Sequence, residues 1–195
     1  MNISDEIAKR ASDIETRIRR FLPEQYEYQK TIVDAMSYSV LAGGKRLRPM
    51  LMEAAYQMFD GIGQDIDSFM AAIEMIHTYS LVHDDLPAMD NDEYRRGKKT
   101  THAVYGEAMA ILAGDALLNY AYETAVSAVV QNAGDIRVAK AFQILAKKAG
   151  IYGMIGGQVV DVESEKNGQT IDRERLDFIY RLKTSALLEA SLMIG

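Results

Sequence analysis

The chain has 195 residues, a net charge of −6 and no cysteine. One domain with a single sizeable core is expected at this length. Disulfides and cysteine-ligated metals are excluded, and the acidic balance disfavours nucleic acid as a partner. Met1-Asn2-Ile3-Ser4-Asp5-Glu6 carries charge where a signal peptide needs an apolar stretch, and no window approaches the roughly 20 apolar residues of a membrane span. A cytoplasmic protein without a membrane span is the expectation.

Only Pro23, Pro49 and Pro87 interrupt long stretches rich in Ala, Leu, Met, Glu and Lys, a composition that favours helices. Ile3, Ile7, Ala11, Ile14 and Ile18 form a first helical stripe. A second helix is expected to start at Pro23 and carry Val33, Met36, Val40 and Leu41 inward. Pro49 should open a third helix reaching Met58, a fourth runs from about Ile66 to Met89, and a fifth from Glu107 to Val130. After Gly134 the pattern resumes through Ile136, Val138, Phe142, Leu145 and Ala149. Asp172 is placed to cap a last helix with Leu176, Ile179, Leu182 and Leu187 inside. Loops are expected at Ala42-Gly43-Gly44, Asp60-Gly61-Ile62-Gly63, Arg95-Arg96-Gly97-Lys98 and Lys166-Asn167-Gly168. No alternating run reads as a strand. The architecture expected is all-α: a single bundle of long, mostly antiparallel helices.

His83, Asp84, Asp85, Asp90, Asp92 and Glu93 crowd between Val82 and Tyr94. Such carboxylates repel one another, and divalent cations bound through oxygen relieve that repulsion. A solvated acidic helix end accounts for the same composition. On an ideal helix Asp84 and Asp90 face different directions, and a kink or bulge at Pro87 between them is expected to re-aim Asp90 so that both carboxylates reach one metal group. His77, Ser80 and Asp84 share one face.

Arg95-Arg96-Gly97-Lys98-Lys99 follows directly, and Gly43-Gly44-Lys45-Arg46-Leu47-Arg48-Pro49 supplies a second basic set. Guanidinium forks beside cation-holding carboxylates suit a diphosphate. Gly44 permits close backbone approach, and Lys45 with Arg48 can hold a second anion. Two basic sets around one acidic set point to two phosphorylated substrates.

Several motifs together resemble the trans-isoprenyl diphosphate (polyprenyl) synthases. They are Gly43 to Pro49, Glu74-Met75-Ile76-His77, Asp84-Asp85-Leu86-Pro87-Ala88-Met89-Asp90, Arg95-Arg96-Gly97, Gly106-Glu107, Leu112 to Leu117, Gly156 to Asp161, and Lys183-Thr184. They cover almost the whole chain. The resemblance implies the isoprenoid synthase fold with a central cavity, and a polyprenyl synthetase domain over 1–195. It implies that Asp84, Asp85 and Asp90 hold Mg²⁺ (or Mn²⁺) on an allylic diphosphate that Arg95, Lys183 and Thr184 also hold. It further implies that Lys45, Arg48, His77 and Arg96 bind isopentenyl diphosphate, that Gln158 and Asp161 lie on a helix facing the cavity, and that the protein is a homodimer. The implied reaction is head-to-tail condensation of isopentenyl diphosphate with dimethylallyl or geranyl diphosphate.

Tyr79 lies five residues before Asp84, about 7.5 Å lower along the helix axis. A ring there, with Ser80 beside it, can floor the hydrocarbon cavity. An ordinary core tyrosine accounts for the residue equally well. Within the family an aromatic at this position, with the two extra residues of the aspartate motif, is similar to the bacterial farnesyl type. Geranylgeranyl or geranyl synthases and a noncatalytic regulatory subunit are the alternatives. The family's second aspartate-rich motif does not follow Lys183-Thr184. The sequence stops within the apolar pattern Ala186 to Ile194, so it reads as C-terminally truncated and, as written, inactive.

Overall fold

The computed structural model describes residues 2–24, 27–63, 66–166 and 171–195. The core is organised around helix α4 (Asp67–Asp84). Its residues from Phe69 to Ile76 are almost wholly buried, in keeping with a segment apolar on nearly every side. Around it pack α1 (Ile3–Arg19), α2 (Lys30–Val40), α3 (Leu47–Met58) and α6 (Glu107–Gln131). α6 makes the most extensive contact with α4 and turns Ala110, Leu117, Ala121 and Ala125 toward it. A short α5 (Thr101–Tyr105) precedes α6, and α7 (Ile136–Ala149) and α8 (Met154–Lys166) follow. α9 (Arg173–Ile179) runs through a π turn at Tyr180–Thr184 into α10 (Ser185–Ile194), which packs on α3 and α7.

Several expected boundaries move. α2 begins at Lys30 rather than Pro23. Leu47 opens α3, with Pro49 inside the first turn, where its missing N–H costs nothing. The α1 stripe is buried only at Ile14 and Ile18, whereas Ile3 and Ile7 are exposed. Asp172 caps α9 as expected, its Oδ1 accepting from the Arg175 N–H at 2.8 Å. The loop expected at 166–168 lies, beyond Lys166, outside the described residues.

Two elements are corrections. Tyr94–Arg95 (β1) pairs antiparallel with Lys98–Lys99 (β2), a minimal hairpin where a loop was expected. Its two central residues, Arg96 and Gly97, both have positive φ, 54° and 78°, as a tight hairpin turn requires. α4 also stops at Asp84, not Met89. Pro87 lies in the turn that follows, where the N–H of Asp90 returns to the carbonyl of Asp84 at 2.9 Å.

Candidate active site

A cavity of about 830 Å³ opens between α4, α6, α8 and the π turn. Its walls are mainly apolar, with Leu86, Met89, Ile111, Leu118, Met154 and Ile155 among them. Its polar groups gather at Asp84, Gln158, Lys183 and Thr184, and Arg48, His77, Tyr79 and Ser80 line it as well. A much smaller pocket lies beside it, walled by Gly43, Asp85, Arg95, Arg96 and Glu74 among others; His77 belongs to both.

Consecutive aspartates at the end of α4 therefore serve different spaces. Asp84 accepts a 2.7 Å hydrogen bond from Gln158 Nε2. Burial, together with Asp90 and Asp85, pushes its carboxyl up to about 6 against the pull of Lys183 and Arg95. Asp85 is buried and accepts from Arg95 Nε at 2.8 and 3.0 Å. The structure thus does not gather Asp84, Asp85 and Asp90 on one wall: Asp90 is exposed on the following turn, and Asp85 is engaged by Arg95.

Lys183 and Thr184 sit within the π turn. A π turn widens the helix by one residue and is often found at functional sites. The Lys183 ammonium meets the Asp161 carboxylate. Burial draws the Lys183 pKa down, but Asp161, with Asp84 and Asp90 beyond it, more than reverses this and holds it above the ordinary range. The resemblance places Asp161 with Gln158 on a helix facing the cavity; Gln158 lines that cavity, whereas Asp161 does not and instead pairs with Lys183. α8 approaches the π turn closely because residue 157 is glycine: a Cβ there would lie 2.8 Å from Lys183 Cα and closer still to its amide.

The basic segment after α2 divides into structural and free cations. Arg46 has a left-handed backbone (φ 49°), is 4% exposed, and bonds Glu74 at 2.8 Å, Glu15 at 2.7 Å and the Val40 carbonyl at 2.7 Å. Lys45 is exposed. Arg48 lines the large cavity, and its Nε is buried with no hydrogen-bond partner. Arg96 donates to the Gly43 carbonyl and lies over Gly44, where a Cβ would stand 3.1 Å from its Cζ. Glycine at 44 is thus favoured by its backbone conformation, φ 142°, while an added Cβ would meet only the movable guanidinium of Arg96.

Burial, reinforced by Arg48, Arg96, Arg46 and Arg95, pushes His77 down to about 3, so it is neutral near pH 7. Burial likewise pushes Tyr79 up to about 12, so the phenol stays protonated. Among the described residues no three His, Asp or Glu side chains are disposed to hold a metal by themselves. Mg²⁺ takes one or two protein carboxylates and completes its shell with water and phosphate oxygens. Asp84, desolvated by burial and crowded by Asp90 and Asp85, fits that pattern.

Residues 29–195 match the Polyprenyl synthetase family. The chain belongs to the polyprenyl synthetase family. It is 45% identical over 194 residues to a dimethylallyltranstransferase of Fischerella ambigua, covering 100% of this chain and 55% of that protein. It is 46% identical to a farnesyl diphosphate synthase of Haemophilus influenzae, covering 93% of this chain and 62% of the relative. It is 50% identical to the large subunit of a heterodimeric geranylgeranyl pyrophosphate synthase of Arabidopsis thaliana, covering 84% and 45%. The chain thus spans about half the length of these relatives. A crystal structure of an FPP/GFPP synthase from Zymomonas mobilis superposes with a TM-score of 0.89 at 37% identity, covering 98% of this chain and 70% of that one. A geranyltransferase from Legionella pneumophila gives 0.88 at 36%, covering 98% and 67%. The all-α isoprenoid synthase fold follows from these likenesses. Among the described residues no helix is long and apolar enough to cross a membrane.

Proposed function

We propose that this polyprenyl synthetase chain belongs to a synthase that condenses isopentenyl diphosphate with dimethylallyl or geranyl diphosphate to give farnesyl diphosphate. The observation that carries the reading is the large cavity. It has an apolar shaft, Tyr79 at one wall, and a polar end of Asp84, Gln158 and Lys183.

In this reading the allylic chain lies in the shaft and its diphosphate meets Lys183, Thr184 and Arg95. Asp84 and Asp90 hold Mg²⁺, and Asp85 holds Arg95 toward the diphosphate or joins the metal set. Bound there, Mg²⁺ supplies neutralisation of the leaving diphosphate's charge. Lys183 and Arg95 stabilise that diphosphate as the carbon–oxygen bond breaks, and the apolar walls keep water from the allylic cation left behind. Lys45, Arg48, neutral His77 and Arg96 hold isopentenyl diphosphate, Gly44 giving its backbone room. The double bond of isopentenyl diphosphate then attacks the cation, and the proton lost afterwards passes to the released diphosphate. We take the working unit to be a cytoplasmic homodimer; the exposed Leu112, Val126 and Val130 on α6 support an interface there, and light scattering tests it.

Tyr79 supports the farnesyl assignment: it is 6% exposed and closes one wall of the shaft. Incubating the full-length enzyme with labelled isopentenyl diphosphate and each allylic partner, followed by chromatography, tests it. Farnesyl product from the wild type and longer product from Tyr79→Ala are expected. Geranylgeranyl product from the wild type would refute it. That second reading is favoured by the 48–50% identity to plastid geranylgeranyl synthases.

A further inference from the structure

Tyr79 does not stand alone in the cavity wall. One turn along α4, His83 lines the same cavity. The two rings meet edge to face, their centroids 5.8 Å apart and their planes at 83°. His83 is tied to the facing helix, its Nε2 3.1 Å from the carbonyl oxygen of Ile111 on α6.

Against the far side of this ring is Gly114, in the middle of α6 and buried. A Cβ on Gly114 would lie 2.8 Å from His83 Cε1, and closer still to Cδ2 and Nε2. Glycine is unfavourable within a helix, and the backbone here is ordinarily helical, so the ring's need for space is the physical reason for it. Gly114 does not line the cavity whereas His83 does. The imidazole therefore stands between Gly114 and the cavity, seated in a notch in α6 and supporting Tyr79.

We propose that His83, seated in the notch left by Gly114, is a specificity-determining residue that fixes how far a prenyl chain reaches into the cavity. The inference rests on the prenyl-chain reading of that cavity and deepens it. A methyl group at position 114 must displace the ring from α6, and the free space is on the cavity side, so the shaft shortens. Removing the imidazole takes away the support behind Tyr79, and the shaft lengthens. Both effects pass through one ring, so Gly114→Ala should have little effect once His83 is alanine.

The test measures Kd by calorimetry for the thiodiphosphates of dimethylallyl, geranyl, farnesyl and geranylgeranyl alcohols in the presence of Mg²⁺. Wild type, Gly114→Ala, His83→Ala and the double variant are compared. Every ligand carries the same head group, so disturbance of the neighbouring aspartates shifts the whole series in parallel, and only a change of reach alters the ratios. For Gly114→Ala the affinity for the farnesyl relative to the dimethylallyl ligand should fall about tenfold, and for His83→Ala the relative affinity for the geranylgeranyl ligand should rise about tenfold. The double variant should follow His83→Ala. Parallel shifts, or a Gly114→Ala effect that persists without the imidazole, would overturn the proposal. A folded wild-type protein that binds no member of the series would overturn the prenyl reading itself.

Discussion

The neutral His77 makes a quantitative prediction. Its pKa is held at about 3, from an ordinary value of 6.5, by burial and by the arginines around it. The unfolded chain therefore binds a proton that the folded chain refuses, and stability falls as pH drops below the unfolded value. With these two values the loss between pH 8 and pH 5 is about 2 kcal/mol, and it would continue to grow until about pH 3. Asp84 works in the opposite sense: its raised pKa makes the folded state retain a proton, so its contribution improves as pH falls through about 6. Comparison with His77→Gln isolates the histidine, because Asp84 is common to both proteins. Urea unfolding at pH 8 and pH 5 should show wild type losing about 2 kcal/mol relative to the variant. An NMR titration should find the His77 ring neutral throughout that range. An equal stability difference at both pH values would refute the reasoning. Pyrophosphate added beside Arg48 and Arg96 should raise the His77 pKa, since it offsets the charges that hold it down.

Further outcomes follow from the site's packing. Arg46→Met should cost about 3–5 kcal/mol in denaturant melts, because it strands the buried Glu74 carboxylate. Lys45→Ala should change stability by less than about 0.5 kcal/mol while weakening pyrophosphate binding in calorimetry. Equal stability losses in these two variants would contradict the division drawn between them. Gly157→Ala should destabilise by about 1–3 kcal/mol, because the added methyl meets the Lys183 backbone rather than a movable side chain. An unchanged urea midpoint would show that α8 and the π turn separate freely. Arg95→Ala leaves Asp85 buried without its cation, at a cost of about 2–4 kcal/mol after allowing for the partial exposure of Arg95. Asp85→Asn/Arg95→Ala should regain part of that loss, and a double variant no more stable than the single one would argue against the ion pair.

Legibility in the sequence followed the range of the interactions. An irregularity at Pro87 was legible because proline acts locally, on its own backbone and the preceding turn, although the helix ends at Asp84 rather than running kinked to Met89. The cap at Asp172 was legible for the same reason. The hairpin at Tyr94–Lys99 was not, because Arg96 holds the left-handed turn position where Asn or Asp is the usual signal. The π turn left no trace in the apolar pattern: Ile179 and Leu187 are still buried on either side of it, and the extra residue falls between them. Lys45 and Arg48 read as anion-binding, but nothing in the sequence assigns Arg46 its role: it is spent on Glu74 and Glu15, residues 28 and 31 positions away. Pairings at that distance are decided by how helices pack, which no local pattern encodes.

The end of α4 shows how one short motif can border two cavities. Successive helical residues point about 100° apart, so Asp84 and Asp85 cannot face the same space while the helix lasts. Asp84 turns into the large cavity, toward Gln158, and Asp85 turns to Arg95 beside the small pocket. Ending the helix at Asp84 and folding the chain back brings the Asp90 amide to the Asp84 carbonyl. The second carboxylate near Asp84 is then supplied by a residue six positions on rather than by its neighbour. A straight helix through Pro87 would leave Asp84 with neither Asp90 nor the turn that leads into the hairpin carrying Arg95. The irregular backbone is therefore the feature that allows one acidic segment to border two cavities that share His77.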